Sequence, residues 1–290
     1  MSRRYQIGDV EVTRVRETLL PDFAGDFLFP DWHGAVAGEG REWLVPGSVN
    51  QARSGVNISI HTWVLKTPHH TLLIDTGIGN GRERRIAQFN RLDNPYLERL
   101  AAAGVMPHEV DFVLCTHLHS DHVGWNTRLQ GERWVPTFPN ARYVFPSDEL
   151  TYSQSPAFRD GYAAGVYEDS IAPILEAGLV DLIGPQGGEF HDGLAFHPTP
   201  GHTPGHMSIS LVSKGRRALF TGDVVHSPLQ IYHPHWNSAF CEEQDAARVS
   251  RRWAIEHAAE HRALFLTAHF PESSAGYISS QGGKFDWHFA

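Results

Sequence analysis

No stretch of this 290-residue chain approaches the roughly 18 consecutive apolar residues that a membrane span requires, so no span is expected. Cysteine is scarce. Only Cys115 and Cys241 are present, neither in a Cys-x-x-Cys pair, and a disulfide framework is not expected. Cys115 reads as a small core residue and Cys241 as a loop thiol. There is no Lys/Arg-rich block, and the formal net charge is −9, which disfavours binding to a nucleic-acid backbone. The opening residues, Met-Ser-Arg-Arg-Tyr-Gln-Ile-Gly, have no apolar stretch behind their two arginines. No secretory signal is therefore expected, and the expected location is cytoplasmic. A composition of 41% hydrophobic and 20% charged residues suits a globular protein with a substantial core, as one large domain or two small ones.

What the chain has in plenty is histidine, with 19 residues. His69, His70, His257 and His261 show no partner pattern. The densest group lies in Cys115-Thr-His-Leu-His-Ser-Asp-His-Val-Gly124, which puts His117, His119, Asp121 and His122 within six residues. Imidazoles and a carboxylate at that density suit a divalent metal such as zinc. The preceding run, Asp111–Cys115, reads as a buried strand, so the donors sit on the loop just past a strand end. His117 and His119 alternate with Leu118, and an extended backbone points both the same way. Asp121 and His122 are adjacent and diverge, so one loop can serve two ions.

Along the chain, Ile7–Val12 alternates and reads as a strand. Residues 21–54 carry Phe23, Phe27, Phe29, Trp32 and Trp43 among many Gly, Pro and Asp, and read as an aromatic-rich loop: a lid, a contact surface or a flap over core. Ile58–Leu65 and Thr71–Ile74 look like a strand pair. Residues 82–103 look helical in two pieces, with Gly104 as a C-cap. Ala141–Phe145 reads as a strand, with Ser147 as N-cap of a short helix behind it. Glu168–Ala177 reads as a helix. Leu194–His197, Met207–Val212, Ala218–Thr221 and Ala263–Thr267 read as strands. Gln244–Arg262 is the clearest helix, with Ala246, Val249 and Trp253 on one stripe. The tail from Gly276 onward is short and aromatic-rich. Strands recurring in both halves with helices between them predict an α/β protein, two sheets stacked face to face with helices outside, an αββα sandwich.

Three further apolar runs each end in a potential ligand. One leads through Pro-Gly201 to His202, one through Thr-Gly222 to Asp223, and one through Thr-Ala268 to His269. Asp75 closes another strand. With Asp75-Thr-Gly, Thr116-His-x-His-x-Asp-His122, Gly201-His-Thr-Pro-Gly, Gly222-Asp223 and Ala268-His269, the chain resembles the metallo-β-lactamase superfamily from about Ile58 to His269. That family's four-layer αββα sandwich agrees with the pattern above and implies a single domain over residues 1–290. The resemblance implies one zinc ion on His117, His119 and His202, and a second on Asp121, His122 and His269. Asp223 would bridge them, with Asp121 and Asp223 as the catalytic carboxylates. Fe, Mn or Co are alternatives to the two Zn2+. A hydroxide between the ions would be the nucleophile. Asp75 is expected to support the ligands from behind. His206 is expected to pack nearby without ligating.

The fold alone does not give the substrate. The commonest β-lactamase class carries Arg where His122 stands and Cys where Asp223 stands, and flavodiiron proteins need Glu in place of His119. Glyoxalase II holds its substrate on a helical domain after the last His, whereas 21 residues follow His269 here. A long segment upstream of Asp75 resembles the lactonase and organophosphate-hydrolase branch (methyl parathion hydrolase-like), in which such segments wall the pocket and support dimers. A homodimer is accordingly allowed for. Trp125, His226, Tyr232, His233 and Trp236 are the candidate contacts to a small-molecule substrate. The expected activity is hydrolysis of a carboxylic ester, a lactone first. The alternatives are phosphotriester cleavage on the same site, a mononuclear-iron persulfide dioxygenase, and a non-catalytic binding protein.

Overall fold

A computed structural model describes residues 3–32, 44 and 47–290. Its first sheet runs, in spatial order, β1 (Arg4–Ile7), β2 (Val10–Ala24), β3 (Gly55–Lys66), β4 (Thr71–Ile74), β5 (Phe112–Leu114), β8 (Arg142–Pro146) and β9 (Val180–Ile183). Between β5 and β8 a small separate hairpin forms from β6 (Thr127–Gln130) and β7 (Arg133–Pro136). The second sheet runs β10 (Gly188–Glu189), β11 (Leu194–Pro198), β12 (Met207–Ser213), β13 (Arg216–Phe220), β14 (Leu264–Leu266), β15 (Ala275–Gln281) and β16 (Lys284–Phe289).

Strand alternation builds the layers. In β4, Leu72 and Ile74 face the second sheet while Leu73 faces outward, and in β5 Leu114 and Val113 divide the same way. The inner faces meet in one core that joins Trp63, Leu65 and Leu114 to Phe196, Ile209 and Phe220. Outside the first sheet, Leu73, Val113 and Tyr143 pack on Tyr96 and Leu100 of helix α2 (Tyr96–Ala102) and on Ile171 and Ile174. Outside the second, Phe265 and Ile278 pack on Ala254, Ile255 and Ala258 of the long helix (Gln244–His261). This is the αββα arrangement expected from the strand and helix order.

Several local expectations are corrected. Ile7–Val12 is not one strand: Gly8, at a φ of +58°, turns the chain between β1 and β2. Phe23 lies in β2 rather than in a loop, because β2 continues to Ala24 against β3 through two bulges. Of residues 82–103, only α2 is an α-helix, preceded by a single 3-10 turn at Ala87–Phe89. Ser147 is the first helical residue rather than the cap. The buried stripe of the long helix lies one position along from the expected one, on Ala247, Ser250, Arg251, Ala254, Ile255 and Ala258, and Val249 is 70% exposed. The tail forms the β15–β16 hairpin. Trp43 lies outside the described residues. Among the described residues, no helix is long and apolar enough to cross a membrane.

Candidate metal centre

Parallel pairing aligns the ends that matter. β4 runs parallel to β5, and β13 runs parallel to β14. Asp75, the 116–122 loop, Asp223 and His269 therefore all emerge at one edge of the sandwich, and the loop between β11 and β12 adds His202. Their donor atoms gather in groups whose members lie within 4.8 Å of one another: His117, His119 and His202; Asp121, His122 and His269; His117, His122 and Asp223. The first group faces the Oδ2 side of Asp223, with His202 Nε2 at 3.2 Å and His117 Nε2 at 3.8 Å. Oδ1 faces the second group, with His269 Nε2 at 2.9 Å and His122 Nε2 at 3.1 Å. One carboxylate thus stands between the two groups with an oxygen toward each.

The fit to cations can be tested on orphaned atoms. His117 Nε2 is buried with no hydrogen-bond partner, and His122 Nε2 and Asp223 Oδ1, though 3.1 Å apart, are not aligned as a hydrogen bond. His119 Nδ1 and His202 Nε2 face each other at 2.9 Å, nitrogen to nitrogen. A buried polar atom left unpaired is costly, and a cation on these atoms removes the cost. Protonation agrees. Burial holds His117 and His202 well below the ordinary imidazole range and lowers His119 to about 4, so these rings are neutral, the ligating form. Burial disfavours the Asp223 carboxylate, but His122, His269, His226 and His202 outweigh it and hold the group ionised. At His122 burial opposes the cation, and Asp223, Asp121 and Asp75 override it and push the pKa well up.

Supporting contacts orient the donors. Asp75 does not join the groups. Its Oδ1 accepts the Thr116 amide at 2.8 Å, and its Oδ2 accepts the Thr116 hydroxyl at 2.8 Å and pairs with His122 Nδ1 at 2.9 Å, leaving His122 Nε2 for the site. His269 Nδ1 lies 3.2 Å from the Ser59 carbonyl, which turns Nε2 inward. His206 is also outside the groups, and its Nε2 accepts the Asp223 amide at 3.0 Å. Burial lowers His206 to about 3, so it serves as a neutral acceptor. Gly222, at a φ of +51°, brings that turn so close that a Cβ would stand 2.5 Å from His206 Nε2.

A cavity of ≈ 330 Å3 opens over the donors, lined by His119, Asp121, His202, Asp223, His226 and His269 at its floor. Its walls are apolar: Leu20, Phe23, Ile58, Phe89, Phe158 and Phe240 among them. Of the five expected substrate contacts, only His226 is there, with Nε2 3.2 Å from Asp223 Oδ2. Trp125 is turned away: it stacks on Tyr96 at 4.9 Å and donates its indole N–H to buried Glu17 at 2.8 Å. Tyr232 donates to Asp286 at 2.7 Å in the C-terminal hairpin. His233 stacks on Trp236, which packs against Phe29 and Trp32. The sequence reading missed Phe158, Tyr162 and Phe240. Phe158 sits in the short helix α4 (Pro156–Asp160), and Tyr162 and Phe240 sit in irregular segments after it and before the long helix, with no periodicity or motif to mark them. Phe27, Tyr162 and Phe240 meet edge to face at the mouth, with ring centroids 5.3–6.4 Å apart.

Comparison with known proteins places this architecture. An N-acyl homoserine lactonase, AttM of Azorhizobium caulinodans, is 31% identical over 205 residues, 66% of this chain and 70% of that protein. The crystal structure of a hydrolase of the beta-lactamase superfamily, AbOPH, superposes with a TM-score of 0.83 at 25% identity, covering 100% of this chain and 97% of the other. AidC, a dizinc quorum-quenching lactonase solved with the product N-hexanoyl-L-homoserine, superposes with a TM-score of 0.79 at 20% identity, again covering 100% and 97%. The family model for the metallo-beta-lactamase superfamily matches residues 57–280, and the chain belongs to that superfamily.

Proposed function

We propose that this chain is a two-metal hydrolase of carboxylic esters, with a lactone bearing an apolar body as its preferred substrate. The observation that carries the reading is the placement of Asp223, one oxygen toward each donor group, on the floor of an apolar-walled cavity. The first ion falls to His117, His119 and His202 and the second to Asp121, His122 and His269, with Asp223 shared and zinc favoured by the His-rich donor set. When bound, such ions polarise an ester carbonyl and bring the pKa of water down to roughly 7.

The residues supply the rest. The apolar walls take the substrate body and exclude water from the floor. Asp121, at the floor edge, is positioned to accept the proton of the attacking water. The water oxygen bonds to the ester carbon, the ring C–O bond breaks, and the leaving alkoxide takes a proton to give a hydroxy acid. His226 is buried on the cavity floor, its Nε2 facing Asp223 Oδ2 at 3.2 Å in a cluster with His202 and its Nδ1 without a hydrogen-bond partner, so Nδ1 is the nitrogen open to a substrate oxygen. The similarity to a lactonase at 31% identity supports the ester reading over phosphotriester cleavage. The complete second donor group supports two ions over the single iron of a persulfide dioxygenase. Zinc-loaded protein is expected to open lactones and cleave aryl esters in a mixed panel. Turnover of phosphotriesters alone, or of nothing in the panel, overturns the reading.

A further inference from the structure

Two buried carboxylates outside the donor groups brace the centre, and they divide the labour. Asp75 braces His122 directly. Glu149, in the first turn of helix α3 (Ser147–Ser153), is fully buried and lies outside the donor groups. Its Oε2 accepts the amide of Leu118, the residue between His117 and His119, at 3.1 Å. Its Oε1 accepts the amide of Gly205, three residues after His202, at 2.9 Å. Both loops therefore hang on one side chain, and both carry donors of the same group. Gly205 supplies a second, independent observation. A Cβ there would stand 2.5 Å from the Glu149 backbone nitrogen and 2.8 Å from Asp148 Cβ, so the His202 loop reaches the helix start only because residue 205 has no side chain.

We propose that Glu149 is a positioning residue: its two oxygens clamp the His117–His119 loop to the loop after His202 and set the spacing of the first donor group alone. Accepting two amides on one side chain ties both loops to a common point, even though burial raises the Glu149 carboxyl to about 7. A glutamine keeps the shape, but its amide nitrogen meets one backbone N–H donor to donor, so one strut is lost. Gly205→Ala strains the same strut from the other side.

The inference rests on the two-metal reading, and the test separates the two. Metal-free wild type, Glu149→Gln and Gly205→Ala are titrated with zinc against a chromophoric chelator, and amide hydrogen exchange is followed at Leu118 and Gly205. Both variants are expected to weaken one zinc site by about 10–100-fold and leave the other within twofold. The two amides are expected to be protected in metal-free wild type and to exchange faster in the variants. Equal weakening of both zinc sites, unchanged affinities, or unprotected amides in metal-free wild type overturn the clamp. A wild type that binds only one ion overturns the two-metal reading, and the exchange data then still decide the clamp.

Discussion

Asp223 is the residue on which both donor groups depend, because it is the carboxylate that faces each of them. Asp223→Ala is expected to lower kcat/KM by at least about 10^3-fold and to abolish tight binding of one zinc equivalent, checked by steady-state kinetics and metal analysis. His226 differs in kind. It lines the floor but belongs to neither full set of donors assigned to an ion, so His226→Phe is expected to keep two zinc equivalents while kcat falls about 10^2-fold. Loss of metal in that variant instead would make His226 a ligand. At this scale the ligand candidates were the most legible part of the sequence, because a strand end followed by His or Asp is a local pattern. The pocket was the least. Trp125 follows the motif directly, yet its indole goes to Glu17, a partner 108 positions away that no local pattern announces.

Elements decide which side of each residue the site sees. β4, β5, β13 and β14 were readable from short apolar runs, and their parallel pairing gathers the donors at one edge. The long helix was readable in extent but not in phase. Its buried stripe includes Ser250 and Arg251, polar residues that hydropathy assigns to solvent; Arg251 is paired to the Val224 and Pro234 carbonyls. Ile255→Ala is therefore expected to cost about 2–5 kcal/mol by thermal or denaturant unfolding. Val249→Ala should stay within about 0.5 kcal/mol. At the cavity mouth, Tyr162 is 53% exposed, so Tyr162→Ala should spare stability and raise KM for apolar lactones about tenfold with little change in kcat.

The whole molecule carries its buried histidines as a pH liability. In the metal-free protein, burial lowers His61, His117, His119, His202, His206 and His226. Unfolded, each takes a proton near pH 6.5, so the unfolded chain binds more protons and stability falls as pH drops from about 6.5 toward 4. Glu17 and Glu149 are raised and act in the opposite direction over this window, but the six histidines outnumber them; the raised His122 and His269 are protonated in both states below pH 6.5 and add no slope there. The melting temperature of metal-free protein should therefore fall steadily below pH 6.5. An unchanged or rising value would contradict this balance. The sandwich itself was legible from the alternation of strands and helices. The C-terminal hairpin was not read, although Lys284–Phe289 alternates polar and apolar residues and buries Phe285 and Trp287, because its partner strand Ala275–Gln281 is mostly small and polar and shows no such pattern.

The central claim is a two-ion centre that opens esters. The most direct measurement is a calorimetric zinc titration of chelator-stripped protein, with lactone hydrolysis followed at each step. Two equivalents are predicted to bind, with activity reaching its plateau only as the second fills. A single equivalent that saturates binding, or two bound equivalents with no hydrolysis of any lactone or aryl ester, would contradict the account.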